Sequence, residues 1–497
     1  MGIVIQTMTQ LTSIPTDKVY DAHPFAREIL TRLQSAGFEA VLIGGVVRDG
    51  LQAQLGRDVV FPPSDIDIAT SALPREIRRV FHDRPIVGVG EEFGVLLIVD
   101  PLGHAYEVAS FRVESEYDGR WPAKVELVRD LETDVRRRDL TINGLAATAD
   151  GEVIDWVGGT QDLAARRVRT IGEPGARFSE DYLRMMRAVR FTCRIDGEMD
   201  AATAQAVRDH AQQIQSISAE RIGDELLRIL KTQQAARGME LLDSLGLLRF
   251  ILPELSACQG VAQPEEYHPE GDVFVHTIQA VAVADGFVLD PIVKLAIVLH
   301  DIGKPVALQR NDGRNMGGHC AIGARMAKDV GRRLRLSRLQ TQRLCDLVRQ
   351  HMRIADFPKM GRGKQVRFLS DGGDPEASTL PAKYSQFYDL LQVLVSDCEA
   401  SVHRSSGWAP IFQETLRVMD HIERVCGLQH AREMINGHDL TQQLGLTPGP
   451  QLGRILAQVH DRILAGHIVS RDEAFALAQL LRDDEAPSSS VRTTGKT

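Results

Sequence analysis

Near residue 160 the hydrophobic period of this chain changes, and that change constrains the fold more than any other feature of the sequence. Before it, apolar runs of strand length ("EAVLIG", "DIDIAT", "GVLLIVD", "AYEVASFR") follow a helical stretch, "PFAREILTRLQSAG". Short alternating runs bounded by turn residues predict strands, and a 3.6-residue apolar stripe ending in glycine predicts a helix. After it the helical period dominates to about residue 480, in "DYLRMMRAVRFTCRI", "AERIGDELLRILK", "DPIVKLAIVLHDIG" and "KYSQFYDLLQVLVSDCEASV". The pattern predicts an α+β fold: a head with a small mixed sheet and helices, then an elongated all-helical body. At 497 residues the chain is too long for one core, so about two to four domains are expected.

Inside the head, "SDIDIAT" (64–70) sets two aspartates into a run otherwise suited to a buried strand. Side chains i and i+2 of a strand share a face. Asp65 and Asp67 then point one way while Ile66 and Ile68 pack behind them. At about 6 Å and an effective dielectric near 20, two carboxylates repel by roughly 2–3 kcal/mol. A cation offsets that repulsion, or one proton stays on. A chance Asp-x-Asp in a solvated loop is the competing reading, and context decides. Some twenty residues upstream, "VLIGGVVRDG" (41–50) runs a strand into Gly44-Gly45 and then a helix. Paired glycines permit a tight turn and close backbone approach to a ligand, and a helix N-terminus favours phosphate. Arg48 is placed to hold phosphate oxygens. The string is not a P-loop, because GxxxxGK[ST] is absent. Two same-facing aspartates suit two Mg²⁺ ions, about 3.5–4 Å apart in two-metal sites. Glu107 in "AYEVASFR" is the candidate third carboxylate; an edge-strand acid is the alternative.

The order GG-x-VRD then D-x-D-x-AT resembles the signature of the class II tRNA nucleotidyltransferase and poly(A) polymerase family, within the DNA polymerase beta-like superfamily. Further strings follow in the family's order over roughly 35–260. "RRDLTING" (137–144) is similar to its RRDFTINA motif, and "DWVGGTQDL" (155–163) to its D-x-x-G-G-x-x-DL turn. "EDYLRMMRAVRF" (180–191) resembles its nucleotide-selecting EDxxR helix, and "SAERIGDEL" (218–226) its ER-x-x-x-E segment. The loop "DVVFPPS" before Asp65 is longer than the family's usual spacing. The resemblance implies catalytic roles for Asp65, Asp67 and Glu107. It implies nucleotide binding by Gly44, Gly45, Arg48, Arg138, Asp139, Asn143, Asp181, Arg184, Arg187 and Arg190. "YDGRWPAKVELVRDLETDVRRRD" (117–139) looks like the family's flexible loop.

Asp181 and Arg184 sit at i, i+3 on one helical face, with Arg187 and Arg190 continuing at three-residue steps. A carboxylate accepts from the exocyclic amine of C or A, and an arginine donates to a ring nitrogen or carbonyl. An intrahelical salt bridge is the plainer alternative. Residues 166–194 hold eight arginines against three acids in a chain of net charge −9 with ten lysines. Such a local basic stripe fits a partner gripped at one face.

The body carries a second constellation: His276, His300-Asp301, His319, His351 and Asp397. Their order resembles the metal-dependent HD phosphohydrolase superfamily. Imidazoles and carboxylates suit Mn²⁺, Ni²⁺ or Fe²⁺ more than Ca²⁺. A structural domain with hydrogen-bonded histidines is the alternative. "INGHDLTQQLGLTPGPQLGRILAQVHDRILAG" (435–466) resembles the C-terminal segment of bacterial CCA-adding enzymes.

These readings divide the chain into a flexible arm (1–20), the nucleotidyltransferase head (21–160) and a helical neck with nucleotide-selecting and RNA-binding segments (161–262). An HD domain (263–405), a helical tRNA-binding region (406–482) and a disordered tail (483–497) follow. The six cysteines lie far apart without CxxC pairing, which suits a reducing cytoplasm rather than a disulfide framework or a structural zinc site. No signal peptide or membrane-length apolar run is present. The resemblance implies template-independent addition of C, C and A to tRNA from CTP and ATP. The rivals are a poly(A) polymerase, a CC- or A-adding enzyme, and an HD phosphohydrolase whose head only binds RNA. "GEEFGVLLIV" (90–99) stands where poly(A) polymerases of the family carry an RRFR-like string.

Overall fold

Strand β1, Ala40–Ile43, is buried along its whole length, because both of its faces are covered. Leu42 packs with Ile68, Leu96, Ile98 and Val108 on one side, and Val41 and Ile43 with Ala69, Phe111 and Val135 on the other. The computed structural model describes residues 11–484 except 89, 119–120, 267, 375–376, 378, 402–406 and 425–427. These fall into two compact units divided between Ser256 and Ala257.

In the first unit β1 belongs to a seven-stranded mixed sheet with β2 (Asp67–Thr70), β3 (Ile86–Val87), β4 (Val95–Val99), β5 (Ala105–Ser110), β8 (Ala146–Ala147) and β9 (Val153–Ile154). Its order is β3-β4-β5-β2-β1-β8-β9. β2 runs antiparallel to β1 and parallel to β5, with Leu42 opposite Ile68 and Ile68 opposite Val108. That register puts Asp67 directly beside Glu107. Helix α1 (Thr16–Ala22) and helix α2 (Pro24–Ser35) contribute Val19, Ile29, Leu30 and Leu33 to the larger core, and α3 (Gly45–Gln54) contributes Val46, Val47 and Leu51.

The flexible arm expected over 1–20 is contradicted from Leu11 onward. Leu11, Ile14 and Val19 are buried in the head's core, and Ile14 donates its N–H to the Gly151 carbonyl at 2.9 Å. Residues 1–10 lie outside the described residues. The loop expected over 117–139 carries secondary structure on its described residues. β6 (Arg112–Asp118) and β7 (Trp121–Leu127) form an antiparallel hairpin, and Leu131–Arg136 is a helix whose N-cap, Asp130, accepts from the Thr133 N–H at 2.8 Å. Residues 119 and 120 lie outside the described residues. The neck supplies α4 (Pro174–Glu180), α5 (Leu183–Arg194) and α6 (Ala219–Leu230).

The second unit is helical. α7 (Val273–Asp285), α8 (Pro291–Leu299), α9 (His319–Arg333), α10 (Arg338–Gln350) and α11 (Ser385–Glu399) carry or flank every residue of the HD constellation. α8 is buried on all sides from Ile292 to Leu299, as expected of a helix that is apolar all round. Among its further helices are Arg362–Ser370, Ala409–Arg424, Gly437–Leu444, Pro450–Leu464 and Arg471–Asp484. Asp483 and Asp484 are therefore helical, and the remainder of the expected tail lies outside the described residues. Among the described residues no helix is long and apolar enough to cross a membrane.

Candidate active site

At the end of β1 the chain turns through Gly44, whose φ of +70° favours glycine. A Cβ there would stand 3.6 Å from Arg138 Nη1 and 4.0 Å from Asp67 Oδ2, so the turn lies against the acidic pair. Gly45 opens α3. Asp65 immediately precedes β2 and Asp67 is its first residue; both are exposed while Ile66 and Ile68 are buried. The alternation expected of the pair is present. Desolvation by the surrounding protein raises the Asp67 carboxyl, Arg138 opposes the rise, and Asp65 adds to it. Glu107 is raised by desolvation and then by Asp67, against Arg112 and Arg138. Three carboxylates thus share one patch beside the glycine turn. Arg138, tethered through Nη2 to Asp134 Oδ2 at 3.1 Å, is the cation that offsets them. An oxygen-only donor set with excess negative charge fits Mg²⁺.

Arg48 is differently placed from the phosphate-gripping group expected of it. It is buried, its Nε and Nη2 donate to Asp49 at 2.9 and 3.1 Å, and its Nη1 donates to Asn143 Oδ1 at 2.6 Å. Burial pulls it down to about 10, with Asp49 opposing the shift. Asn143 Nδ2 in turn donates to Asp139 Oδ1 at 3.2 Å, and Arg187 Nε donates to Asp139 Oδ2 at 2.7 Å. Desolvation alone would raise the buried Asp139; Arg187, Arg184 and Asn143 instead hold it far below the usual carboxylate range. Arg194 closes the chain on Asp49 at 2.9 Å. Arg48, Asp139, Asn143 and Arg187 are therefore one polar network that ties the glycine-turn helix α3 to α5.

The continuous helix expected over Glu180–Arg190 is broken. α4 stops at Glu180, Asp181 is extended (φ −156°, ψ 104°), and α5 starts at Leu183. The Asp181 carboxylate accepts from the Leu183 N–H at 3.1 Å, the local competition with helical hydrogen bonding that aspartate favours. Asp181 and Arg184 do not pair with each other. Arg221 donates to both carboxylate oxygens of Asp181, at 3.2 and 2.6 Å, while Arg184 pairs with Glu180. Arg190 pairs with the buried Glu225 and lies 4.2 Å over the Phe191 ring. Arg221 and Glu225 both come from "SAERIGDEL", whose periodicity marks a helix and gives no sign of which acid or arginine it would meet. The eight arginines of 166–194 all have acidic partners: Asp196, Asp162 (twice), Glu180 (twice), Asp139, Glu225 and Asp49. The basic stripe of the sequence is thus neutralised locally by acids drawn largely from other segments.

In the second unit the HD residues converge. His300 and His351 directly follow α8 and α10, and His319 begins α9. Their Nδ1 atoms lie 2.7, 2.8 and 3.1 Å from the carbonyls of Ile297, Val348 and Met316. A carbonyl only accepts, so each Nδ1 carries the proton and each Nε2 presents a lone pair. His300 Nε2 is buried without a hydrogen-bond partner, and Asp301 Oδ2 is 3.2 Å from it. The buried His276 meets Asp397 at 3.1 Å through Nε2 and Glu270 at 2.6 Å through Nδ1. Lys304 Nζ lies 2.5 Å from Asp301 Oδ2. Burial and then His300 push His351 down to about 4, whereas His300, which burial would lower, is raised by Asp301. Convergent imidazole lone pairs around carboxylates fit a divalent cation. His268, Glu270 and Lys304 were not expected; "HPEGDVFVH" holds the first two at short spacing from His276, which was the available signal.

The head, over residues 40–169, matches the family described as "Poly A polymerase head domain", and 198–259 matches the family described as "Probable RNA and SrmB-binding site of polymerase A". Residues 273–393 match the HD domain and 409–478 match tRNA nucleotidyltransferase domain 2. A CCA-adding enzyme of Leuconostoc mesenteroides is 41% identical over 233 residues, 47% of this chain and 54% of that protein. One of Limosilactobacillus reuteri is 42% identical over 226 residues, 45% of this chain and 54% of the relative. The chain thus spans about half the length of the curated relatives it matches. The crystal structure of the Bacillus stearothermophilus CCA-adding enzyme in complex with CTP aligns over 93% of this chain and 98% of that one, at 26% identity and a TM-score of 0.64. Four matched segments in one order, on a sheet that sets Asp67 beside Glu107, make this chain similar to the tRNA nucleotidyltransferase and poly(A) polymerase family, with a match to the HD domain in its second unit.

Proposed function

We propose that this chain adds and repairs the 3′-terminal CCA of tRNA from CTP and ATP without a nucleic-acid template, releasing pyrophosphate. The observation that carries the reading is the register of β2 against β5, which sets Asp67 beside Glu107, with Asp67 against the Gly44 turn. The matched proteins support it: relatives are named CCA-adding enzymes, and the Bacillus structure holds CTP. The 3′ oxygen of the RNA attacks the α-phosphorus of the nucleotide and the bond to pyrophosphate breaks; positioning and electrostatics do most of the catalysis in such transfers. Asp65 and Asp67, with Glu107 beside them, would hold Mg²⁺, which when bound supplies Lewis acidity at the phosphate and the attacking hydroxyl. Arg138 and the Gly44-Gly45 backbone receive phosphate oxygens. Asp181 and Arg184 read the base, exchanging Arg221 and Glu180 for it, while Arg48, Asp139, Asn143, Arg187 and Arg190 hold α5 in position.

The test is incubation with tRNA lacking CCA and each nucleoside triphosphate, with the products sequenced. CCA ends that depend on CTP and ATP support the reading; A-tracts point to a poly(A) polymerase, and CC or A alone to a split activity. Asp67→Ala is expected to abolish addition of both C and A while tRNA binding persists. The convergence of the His300, His319 and His351 Nε2 atoms on Asp301 favours a second reading for the second unit: hydrolysis of terminal or cyclic phosphates of damaged RNA with Mn²⁺, Ni²⁺ or Fe²⁺. Both activities belong in the cytoplasm.

A further inference from the structure

We propose that His319, Cys320 and His351, with Asp301 as fourth donor, form a nitrogen–sulfur site for zinc or another borderline-soft divalent cation. The inference deepens the metal-binding reading of the HD centre and rests on it. Its basis is the spacing of the donor atoms. A tetrahedron with zinc–nitrogen bonds of about 2.0–2.1 Å and a zinc–sulfur bond of about 2.3 Å has N···N edges of about 3.3 Å and N···S edges of about 3.5 Å. The structure places His319 Nε2 3.3 Å from His351 Nε2, and Cys320 Sγ 3.5 Å from His319 Nε2. Asp301 Oδ1 lies 3.4 Å from His319 Nε2 and 3.8 Å from His351 Nε2. The ligand atoms of His319, Cys320 and His351 all lie within 4.8 Å of one another.

The tautomers strengthen the case. Both Nδ1 atoms face carbonyls, at 3.1 and 2.8 Å, so two imidazole lone pairs point toward each other at 3.3 Å. They repel unless a metal ion or a proton stands between them. Cys320 is half-buried at the start of α9, which leaves a path for an ion from solvent. Among the described residues it is the one cysteine grouped with other metal-ligating side chains. Imidazole and carboxylate alone suit Mn²⁺, Ni²⁺ or Fe²⁺; a thiolate moves the preference toward zinc. Binding releases the thiol proton to solvent and leaves sulfur as the charged ligand.

The experiment uses the full chain, stripped with chelator and titrated with Co²⁺ as a spectroscopic substitute. Expected are intense visible bands of tetrahedral cobalt and a near-ultraviolet sulfur-to-cobalt charge-transfer band, both lost when Zn²⁺ displaces the cobalt. Cys320→Ser is expected to bind cobalt without the charge-transfer band, and to lose at least about tenfold in preference for Zn²⁺ over Mn²⁺. In the unaltered chain, Zn²⁺ and not Mg²⁺ is expected to slow alkylation of Cys320, read by peptide mass spectrometry against the buried Cys193, Cys345 and Cys398. That measurement decides the matter even if the variant misfolds. Cobalt bound without the charge-transfer band, a band that survives Cys320→Ser, or alkylation at the same rate with Zn²⁺ removes sulfur from the site and leaves the metal reading standing. No binding of cobalt or zinc overturns both.

Discussion

Asp67 and Glu107 define the head at the level of single residues, because both carboxyls are raised by desolvation, and then Glu107 by Asp67 and Asp67 by Asp65. A raised carboxyl binds its proton more tightly folded than unfolded, so stability falls as pH rises from the ordinary carboxylate range through the raised value. The penalty is absent below that range, fully present above the raised value, and relieved by a divalent cation. Asp67→Asn is therefore expected to raise the melting temperature at neutral pH in chelator, and to lose that advantage in acid or with Mg²⁺. Scanning calorimetry across pH in both buffers checks it; identical curves for the two proteins in chelator would remove the repulsion argument. The shared face of Asp65 and Asp67 was legible in the sequence because a period of two forces i and i+2 onto one face, and the apolar residues between identify which face; the pairing of Glu107 with Asp67 rests on a strand register that no local pattern sets. The fate of Arg48 was not legible. Its partner Asn143 lies 95 positions away, and no local pattern says that an arginine after a glycine turn will spend its donors inward.

At the scale of elements, the corner between α4 and α5 departs furthest from its sequence pattern. Helical spacing runs through "EDYLRMMRAVR" without interruption, yet Asp181 accepts from the Leu183 N–H and starts a new helix. The bidentate grip of Arg221 then fixes its carboxylate. If that carboxylate reads the amine shared by C and A, G and U leave it facing a carbonyl. An unsatisfied contact of this kind costs roughly 1–3 kcal/mol, about ten- to a hundredfold in selection. Asp181→Ala is expected to erode discrimination against GTP and UTP by that factor, measured as relative incorporation of the four nucleotides. Equal slowing with all four would make the corner purely structural. The neighbouring Arg190–Glu225 pair is buried at both ends. Removing one partner strands a charge, so Glu225→Ala is expected to cost about 3–5 kcal/mol in denaturant unfolding, and Arg190→Met with Glu225→Leu far less. A single-variant loss no larger than that of the double would show the pair to be uncoupled.

Across the whole molecule, the change of hydrophobic period near residue 160 anticipated a mixed head and a helical body. The structural division falls later, between Ser256 and Ala257, because the neck helix α5 brings Arg187 and Arg194 into networks with the head's own Asp139 and Asp49, and Arg190 joins it to α6 through Glu225. Periodicity reports helix and strand but not which side a helix packs on, so the neck could not be assigned from its pattern. The two candidate metal centres then draw on different units and different donors: carboxylate oxygens at β2 and β5, imidazole and carboxylate with Cys320 around α7 to α11. Nothing in either centre is shared with the other. Asp67→Ala is accordingly expected to abolish nucleotide addition while its bound zinc or manganese, measured by elemental analysis after dialysis, stays at the level of the unaltered chain. His300→Ala/Asp301→Ala is expected to lose that metal. If Asp67→Ala empties both centres, the units do not hold their metals separately, and the division into a polymerising head and a metal-binding body fails as a description of function.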